Sequence, residues 1–478
     1  KIQHQFENTL YPTSLEQLMD SKTFNKEPIN PYTGKSMLSS NSDESGLQYQ
    51  ATGGEYKLCV VQRDIEDVND NGIVDEILPL VTKTTCIGNT TSNIGVEFKR
   101  NSVAYTSNGA QVAVNQPRFE PGKFGKAIMM EEGTTNLLPA NKANCEKAPD
   151  VTAYATVTVD TSRKLVGSGS LKVQWNGSGP YAYAQYNITL TNGNTYTVSG
   201  WVYAEESKYL RLSVQESASP WRTFNTDLIL IPAKQWTRLS VTFTLPSDWT
   251  QPSRIQLHPP RNSTTLSDFA TIPAWWDAIQ VEQKPYATNF IDGTRAAETL
   301  TIPTAGVLNP QRGEVAILRR MDIASNNPPS GVHRNIFSLK GVVWGIFVPN
   351  GIANEIQWAV GSWSSVVRAK TTWDAKDWLW IFAEWDLPNA TLHVYNVTKG
   401  THASATITNA VSVTVPSSAY VGCADGVRFN AHCNGLIDDL RISSRARTDE
   451  EILSAYQSNQ PLPVDAWTTL KLDFDGDL

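Results

Sequence analysis

From about Val96 onward, apolar and polar residues alternate with a period of two, in short runs separated by turn signals roughly every eight to twelve residues. This pattern predicts β-sandwiches. In Tyr209–Gln215, Leu210, Leu212 and Val214 point one way while Arg211, Ser213 and Gln215 point the other. In Arg254–His258, Ile255 and Leu257 oppose Gln256 and His258, and Tyr181, Tyr183 and Gln185 repeat the arrangement. A shift of one residue in register would turn every one of these side chains to the opposite face, so the three runs predict one polar sheet face. The start of the chain reads differently. Thr13 and Glu16 have capping-box spacing, and Leu15, Leu18 and Met19 follow at helical spacing, predicting a short helix. Asn30-Pro31 and Thr33-Gly34 then force turns, and strand patterns resume at Leu47–Tyr49 and Glu55–Val61 across Gly53-Gly54.

Composition agrees with the β reading. The 478 residues suffice for about three domains, and 15 Trp with only 18% charged residues suit sandwiches with polar loops. A net charge of -7 argues against nucleic acid, which needs a basic footprint. No stretch of apolar residues is long enough to cross a bilayer. Five cysteines cannot form a disulfide scaffold in a chain of this length. Cys59 with Cys86 and Cys423 with Cys433 could pair in an exported protein, leaving Cys145; five buried thiols are the alternative.

Between the first two cysteines lies Asp67-Val68-Asn69-Asp70-Asn71-Gly72-Ile73-Val74-Asp75. Oxygen-bearing residues at alternate positions with Gly at the sixth let a tight loop aim its ligands inward, as Ca2+ requires. Asp67, Asn69, Asn71, the Ile73 carbonyl and Asp75 are the expected ligands, and the stretch resembles the loops of dockerins and EF-hands. It departs from them at the twelfth position, where Leu78 replaces the bidentate acid, so the last ligand must come from Asp64, Glu66, Glu76 or elsewhere. Nothing around it looks like an acid, base or nucleophile set, so the expected role is structural.

Three blocks resemble known families. The YPTSLEQL helix, the Pro28–Gly34 turn and the Gly54-Glu-Tyr-Lys-Leu58 strand resemble type IV pilins and pseudopilins. That likeness implies a small α+β head over residues 1–95, pilin subunits as partners, and a membrane anchor only through an N-terminal helix absent from this chain, which opens on KIQHQFENT. The block 137–295 resembles jelly-roll carbohydrate-binding modules through Gly167–Val173, Tyr196–Val202 and Ala274–Glu282; Phe290–Ala297 looks equally like phage tail proteins. On that resemblance Tyr181, Tyr183, Gln185, Arg211, Gln215, Gln256 and His258, with Trp221 at the rim, become a sugar-binding face, and Asp277 a structural calcium ligand. Pro121–Met130, Thr299–Leu318, Trp378–Asn396 and Asn434–Leu453 resemble laminin-G and concanavalin-type sandwiches, and they predict a discontinuous domain, 96–136 and 296–478, with the jelly roll inserted. Glu384-Trp-Asp386-Leu-Pro-Asn389 approaches the E-x-D-x-x-E of laminarinase-like hydrolases, but Asn389 replaces the second acid, and no Gly-x-Ser-x-Gly elbow is present.

The expectation is therefore a mainly β multidomain protein, a small α+β head followed by two antiparallel β-sandwiches. It would act as an extracellular minor pilin adhesin at the cell surface, without enzymatic activity, binding Ca2+ and holding glycans or host surface glycoproteins. A phage-tail or secreted receptor- or polysaccharide-binding protein is the alternative.

Overall fold

A computed structural model describes the backbone of the strands Leu47–Thr52, Glu55–Arg63 and Thr82–Gly88, and residues 95–475 apart from 329, 427, 428 and 430. The chain divides into two units, 1–94 and 95–478. In the first, the three strands form an antiparallel sheet in chain order, with Cys59 directly opposite Cys86 in register. The expected helix over Thr13–Met19 and the loop Asp67–Asp75 lie outside the described residues.

The second unit holds two sandwiches of mainly antiparallel sheets, each around its own core. In the first sandwich one sheet runs Val151–Ala153, Tyr183–Ile188, Ser253–Leu257, Leu212–Gln215, Thr223–Asn225. The other runs Ala155–Asp160, Ser170–Trp175, Ala274–Glu282, Thr195–Ala204, Thr237–Thr244. Alternation decides what each sheet turns inward: Ala184 and Tyr186, Ile255 and Leu257, and Leu212 and Val214 are fully buried in the shared core. Phe224, Phe243 and Trp249 close one end as a stack with centroids 4.8 and 5.3 Å apart.

The second sandwich is larger, with eight strands in each sheet. Strands from before the first sandwich complete it. Glu97–Lys99 pairs with Thr299–Pro303, and Lys126–Met130 pairs with Gly435–Ser443, which also pairs with Thr468–Leu472 off the main strand order. Trp344, Trp358 and Trp385 meet edge to face between the sheets. The helix Asp449–Ser458 lies over the outer face of one sheet, where Ile452 packs with Ala316, Leu318, Trp380, Phe382 and Tyr395. Among the described residues, two helices accompany the strands, and no helix is long and apolar enough to cross a membrane.

The Cys423–Cys433 disulfide does not form. Cys423 and Cys433 are free thiols, as is Cys145, and all three are buried. Cys423 Sγ faces the Leu300 carbonyl at 3.5 Å, whereas Cys433 Sγ faces the Met321 sulfur at 3.9 Å. Both cysteines fill core space rather than bridge strands, a common fate for small polarizable side chains.

Candidate functional site

The outward face of the first sandwich's first sheet is built row by row from strand register. Gln185 lies opposite Gln256, which lies opposite Ser213, which lies opposite Asn225; one step along, Asn187, Arg254, Gln215 and Thr223 follow in the same order. At a strand spacing of about 4.8 Å, five strands give a face about 19 Å wide.

The floor of this face is a hydrogen-bonded polar network. The Gln256 amide donates to Gln215 Oε1 at 3.2 Å and to Gln185 Oε1 at 3.4 Å, and Gln185 donates to Asn187 Oδ1 at 2.8 Å. The Ser213 hydroxyl sits 2.7 Å from His258 Nε2, whose other nitrogen lies 3.0 Å from the Ala182 carbonyl. Burial, reinforced by the charges of Arg211 and Arg261, holds the His258 pKa well below its usual value, so the ring is neutral near pH 7. With Nδ1–H given to the Ala182 carbonyl, Nε2 is left to accept from Ser213. Gln185, Gln256 and His258 are only 3–4% exposed, and therefore orient the surface more than they touch what lies on it.

Above that floor stand the accessible groups. Tyr181 is 73% exposed and Trp221 49%. Tyr183 meets the His258 ring edge to face at 6.3 Å, and the Arg254 guanidinium lies 5.1 Å from the Trp221 ring centroid while donating to the Ser217 carbonyl at 2.8 Å. Gln215 donates to Thr223 Oγ1 at 3.2 Å. Burial lowers the Arg211 pKa, and its Nε has no hydrogen-bond partner among the described residues. The face thus offers flat rings at its edge, and amides and guanidinium groups across its middle.

Asp277 lies elsewhere, at a bulge in Ala274–Glu282 where the register with Thr195–Ala204 shifts and Ala278 takes a φ of 51°. Its carboxylate is fully buried and accepts from the backbone N–H groups of Leu165 at 2.6 Å, Val166 at 3.0 Å and Ala278 at 2.6 Å. Burial raises its pKa to about 7 against the pull of those donors. The groups aimed at Asp277 are thus backbone hydrogen-bond donors.

Residues 144–264 match the family model of a carbohydrate binding domain, CBM_4_9. The matched span contains the four strands that carry the polar rows of this face. Solved structures resemble parts of the chain more loosely. A family 16 carbohydrate-binding module is 17% identical, covering 29% of this chain and 95% of its own, at a TM-score of 0.22. The enzymatically active domain of tailspike protein 2 from bacteriophage CBA120 is 10% identical over 38% of this chain and 29% of its own, at 0.29. The LG1-3 region of the laminin alpha2 chain is 10% identical over 57% and 66%, at 0.26. At these scores the structural likenesses carry no argument. No curated protein matches the chain.

Four members of the face were not among the residues picked out from the sequence. Asn187 and Arg254 extend the two-residue alternation by one step past Gln185 and Gln256, and Thr223 and Asn225 stand opposite Gln215 and Ser213 on a strand too short to show alternation. The first two carried a usable signal; the last two did not.

Proposed function

We propose that the polar face of the first sandwich binds a glycan. The observation that carries this reading is the carbohydrate binding domain match over 144–264, which coincides with the face built by Tyr183, Gln185, Arg211, Gln215, Arg254 and Gln256. Arg211 and Arg254 make no ion pair with a carboxylate among the described residues, so acidic sugars suit the face best. Affinity for a single site is on the order of micromolar to millimolar, and the ligand is held without bond cleavage. The finer reading is a type IV minor pilin adhesin, in which residues 1–95 form the filament-fitting head, Asp67–Asp75 hold Ca2+, and both sandwiches are displayed outside the cell. Its support is the YPTSLEQL and NPYTG pattern of the head. Multivalent display on a filament would raise the grip of weak sites through local concentration.

The test is a glycan array probed with the full chain and with the Tyr183→Ala, Arg211→Ala double variant. Loss of about tenfold or more in binding to the glycans retained by the wild type is expected. Equal binding by the two proteins would remove this face from consideration.

A further inference from the structure

On the outer sheet face of the second sandwich, beneath the start of the helix Asp449–Ser458, three unlike ligand groups converge. One donor atom each from Glu384, His393 and Asp449 lies within 4.8 Å of the other two, and no other group of three such side chains comes together this way among the described residues. Glu384 and His393 come from neighbouring strands, Trp378–Asp386 and Asn389–Asn396, and Asp449 is the first residue of the helix. Glu384 is 6% exposed and His393 3%. Glu384 Oε1 and His393 Nε2 are both shut off from solvent without a hydrogen-bond partner, and His393 Nε2 lies 3.5 Å from Asp449 Oδ1. Native proteins rarely leave such atoms unserved, because each costs the free energy of its lost hydration.

We propose that Glu384, His393 and Asp449 form a site for a divalent transition-metal cation of the zinc class, clamping the start of the helix to the sheet. A tetrahedral ion with ligand distances of about 2.0–2.2 Å places two ligand atoms about 3.3 Å apart. The His393–Asp449 separation already meets that spacing, and rotation of the long Glu384 side chain brings in the third ligand. The imidazole is oriented for coordination by its other nitrogen, since His393 Nδ1 lies 3.3 Å from His402 Nε2, with the two rings 6° from parallel. When Nδ1–H donates to His402, Nε2 carries the lone pair that a metal needs, and the ring orientation is fixed from behind. Burial lowers the pKa of His393, keeping it neutral. Glu314 stands directly opposite Glu384 on the adjoining strand, and a bound cation would displace the proton that this crowding keeps on Glu384. Asp449, with its side chain 82% exposed, opens the way in from solvent. One imidazole and two carboxylates are a donor set suited to Zn2+ and its neighbours, and too few oxygens for Ca2+.

The test is calorimetric titration of the full chain with ZnCl2 in saturating CaCl2, which keeps the Asp67–Asp75 loop out of the readout. One equivalent bound with micromolar affinity is expected. Glu384→Gln, His393→Gln and Asp449→Asn should each weaken it about tenfold or more, and Asp449→Asn, an exposed position, keeps the fold whatever the buried variants do. Co2+ in place of Zn2+ should give the visible absorption of a tetrahedral nitrogen–oxygen site, lost in His393→Gln. Absence of a stoichiometric Zn2+ site, or affinity unchanged in all three variants, overturns the proposal. Glycan binding is a separate readout on a different sandwich and bears on neither outcome.

Discussion

Two groups of buried charge sit in the second unit, and they are built on opposite plans. The first lies where the chain passes between the sandwiches. Glu298 Oε1 meets Arg100 at 2.9 Å and Arg118 at 2.7 Å, Glu131 Oε2 meets Arg118 at 2.8 Å and Arg295 at 3.3 Å, and the Glu131 N–H donates to Glu298 Oε2 at 2.8 Å. All five side chains are 2% exposed or less. Burial pushes the Glu131 carboxyl up, but Arg295 and Arg118 more than offset it and leave it at about 2. The second group lies under the helix Asp449–Ser458, where acids outnumber bases. Arg447 serves Glu314 Oε1 but leaves Oε2 without a hydrogen bond, while Glu384 faces Glu314 across the strands. Burial first, then Glu314 and Asp449, push the Glu384 carboxyl to about 9, and burial against Arg447 leaves Glu314 at about 7. Burial alone therefore does not set the charge state of a carboxyl. Opposing guanidinium groups keep Glu131 ionised, and their shortage keeps Glu384 protonated near neutral pH.

The contrast is most exposed to test at Glu298. Glu298→Ala leaves Arg100 buried without a carboxylate partner and Arg118 with Glu131 alone, and should cost about 3–5 kcal/mol, read as a fall in the urea midpoint. A loss below about 1 kcal/mol would show that water or rearrangement replaces the pair. Glu384→Gln is the counterpart. It swaps a protonated carboxyl for its amide isostere, so stability at pH 7 without metal should move by less than about 1 kcal/mol.

The two groups also titrate against each other. Glu131 has its folded pKa depressed, so its contribution is present above the unfolded value near 4.5 and is lost as pH falls toward about 2. Glu384 has its folded pKa raised. The folded state then holds the extra proton between 4.5 and about 9, and stability falls as pH rises through that window. Urea midpoints from pH 7 to 9 should therefore decline, and decline less steeply in Glu384→Gln; below about 6.5 the buried histidines, His258 and His432 among them, have lowered pKa values and pull the other way. Some slope remains in the variant, because Glu314 and Asp277, at about 7, titrate with the same sign. Identical slopes in the two proteins would refute the protonated state of Glu384.

What the chain revealed of itself follows from range. Alternation is a local signal, and it suffices to put Tyr183 and Gln185, Arg211 and Gln215, and Gln256 and His258 on one side of their strands; it also conveys the mainly antiparallel β character. It does not tell floor from rim. Gln256 and Tyr181 look equally outward along the chain, yet one is 4% and the other 73% exposed, because only the pairing of Tyr183–Ile188 with Ser253–Leu257 roofs the first. Spacing left Cys423 and Cys433 open between a bridge and two buried thiols, and packing turned the two sulfurs toward different neighbours. The ion pair of Arg118 with Glu298 spans 180 residues, and the meeting of Glu384, His393 and Asp449 depends on a helix folding back over a sheet. No periodicity encodes either.

The smallest effect tests whether that helix start belongs to the second charge group. Thr448 caps the helix by accepting from the Glu451 N–H at 3.3 Å, and Glu451 reaches back to the Thr448 N–H at 2.9 Å while its two oxygens hold Arg445 at 2.6 and 2.8 Å. Thr448→Ala removes one arm of this capping box and should cost the helix about 1 kcal/mol. Much of that loss is absorbed by fraying of the first turn, so the urea midpoint should move little, while the Glu451 amide exchanges about fivefold faster. Because Asp449 rides on that turn, Zn2+ affinity should fall with it, whereas the glycan face, on the other sandwich, should be untouched. Faster exchange with undiminished Zn2+ affinity would detach Asp449 from the site and leave Glu384 and His393 to account for it alone.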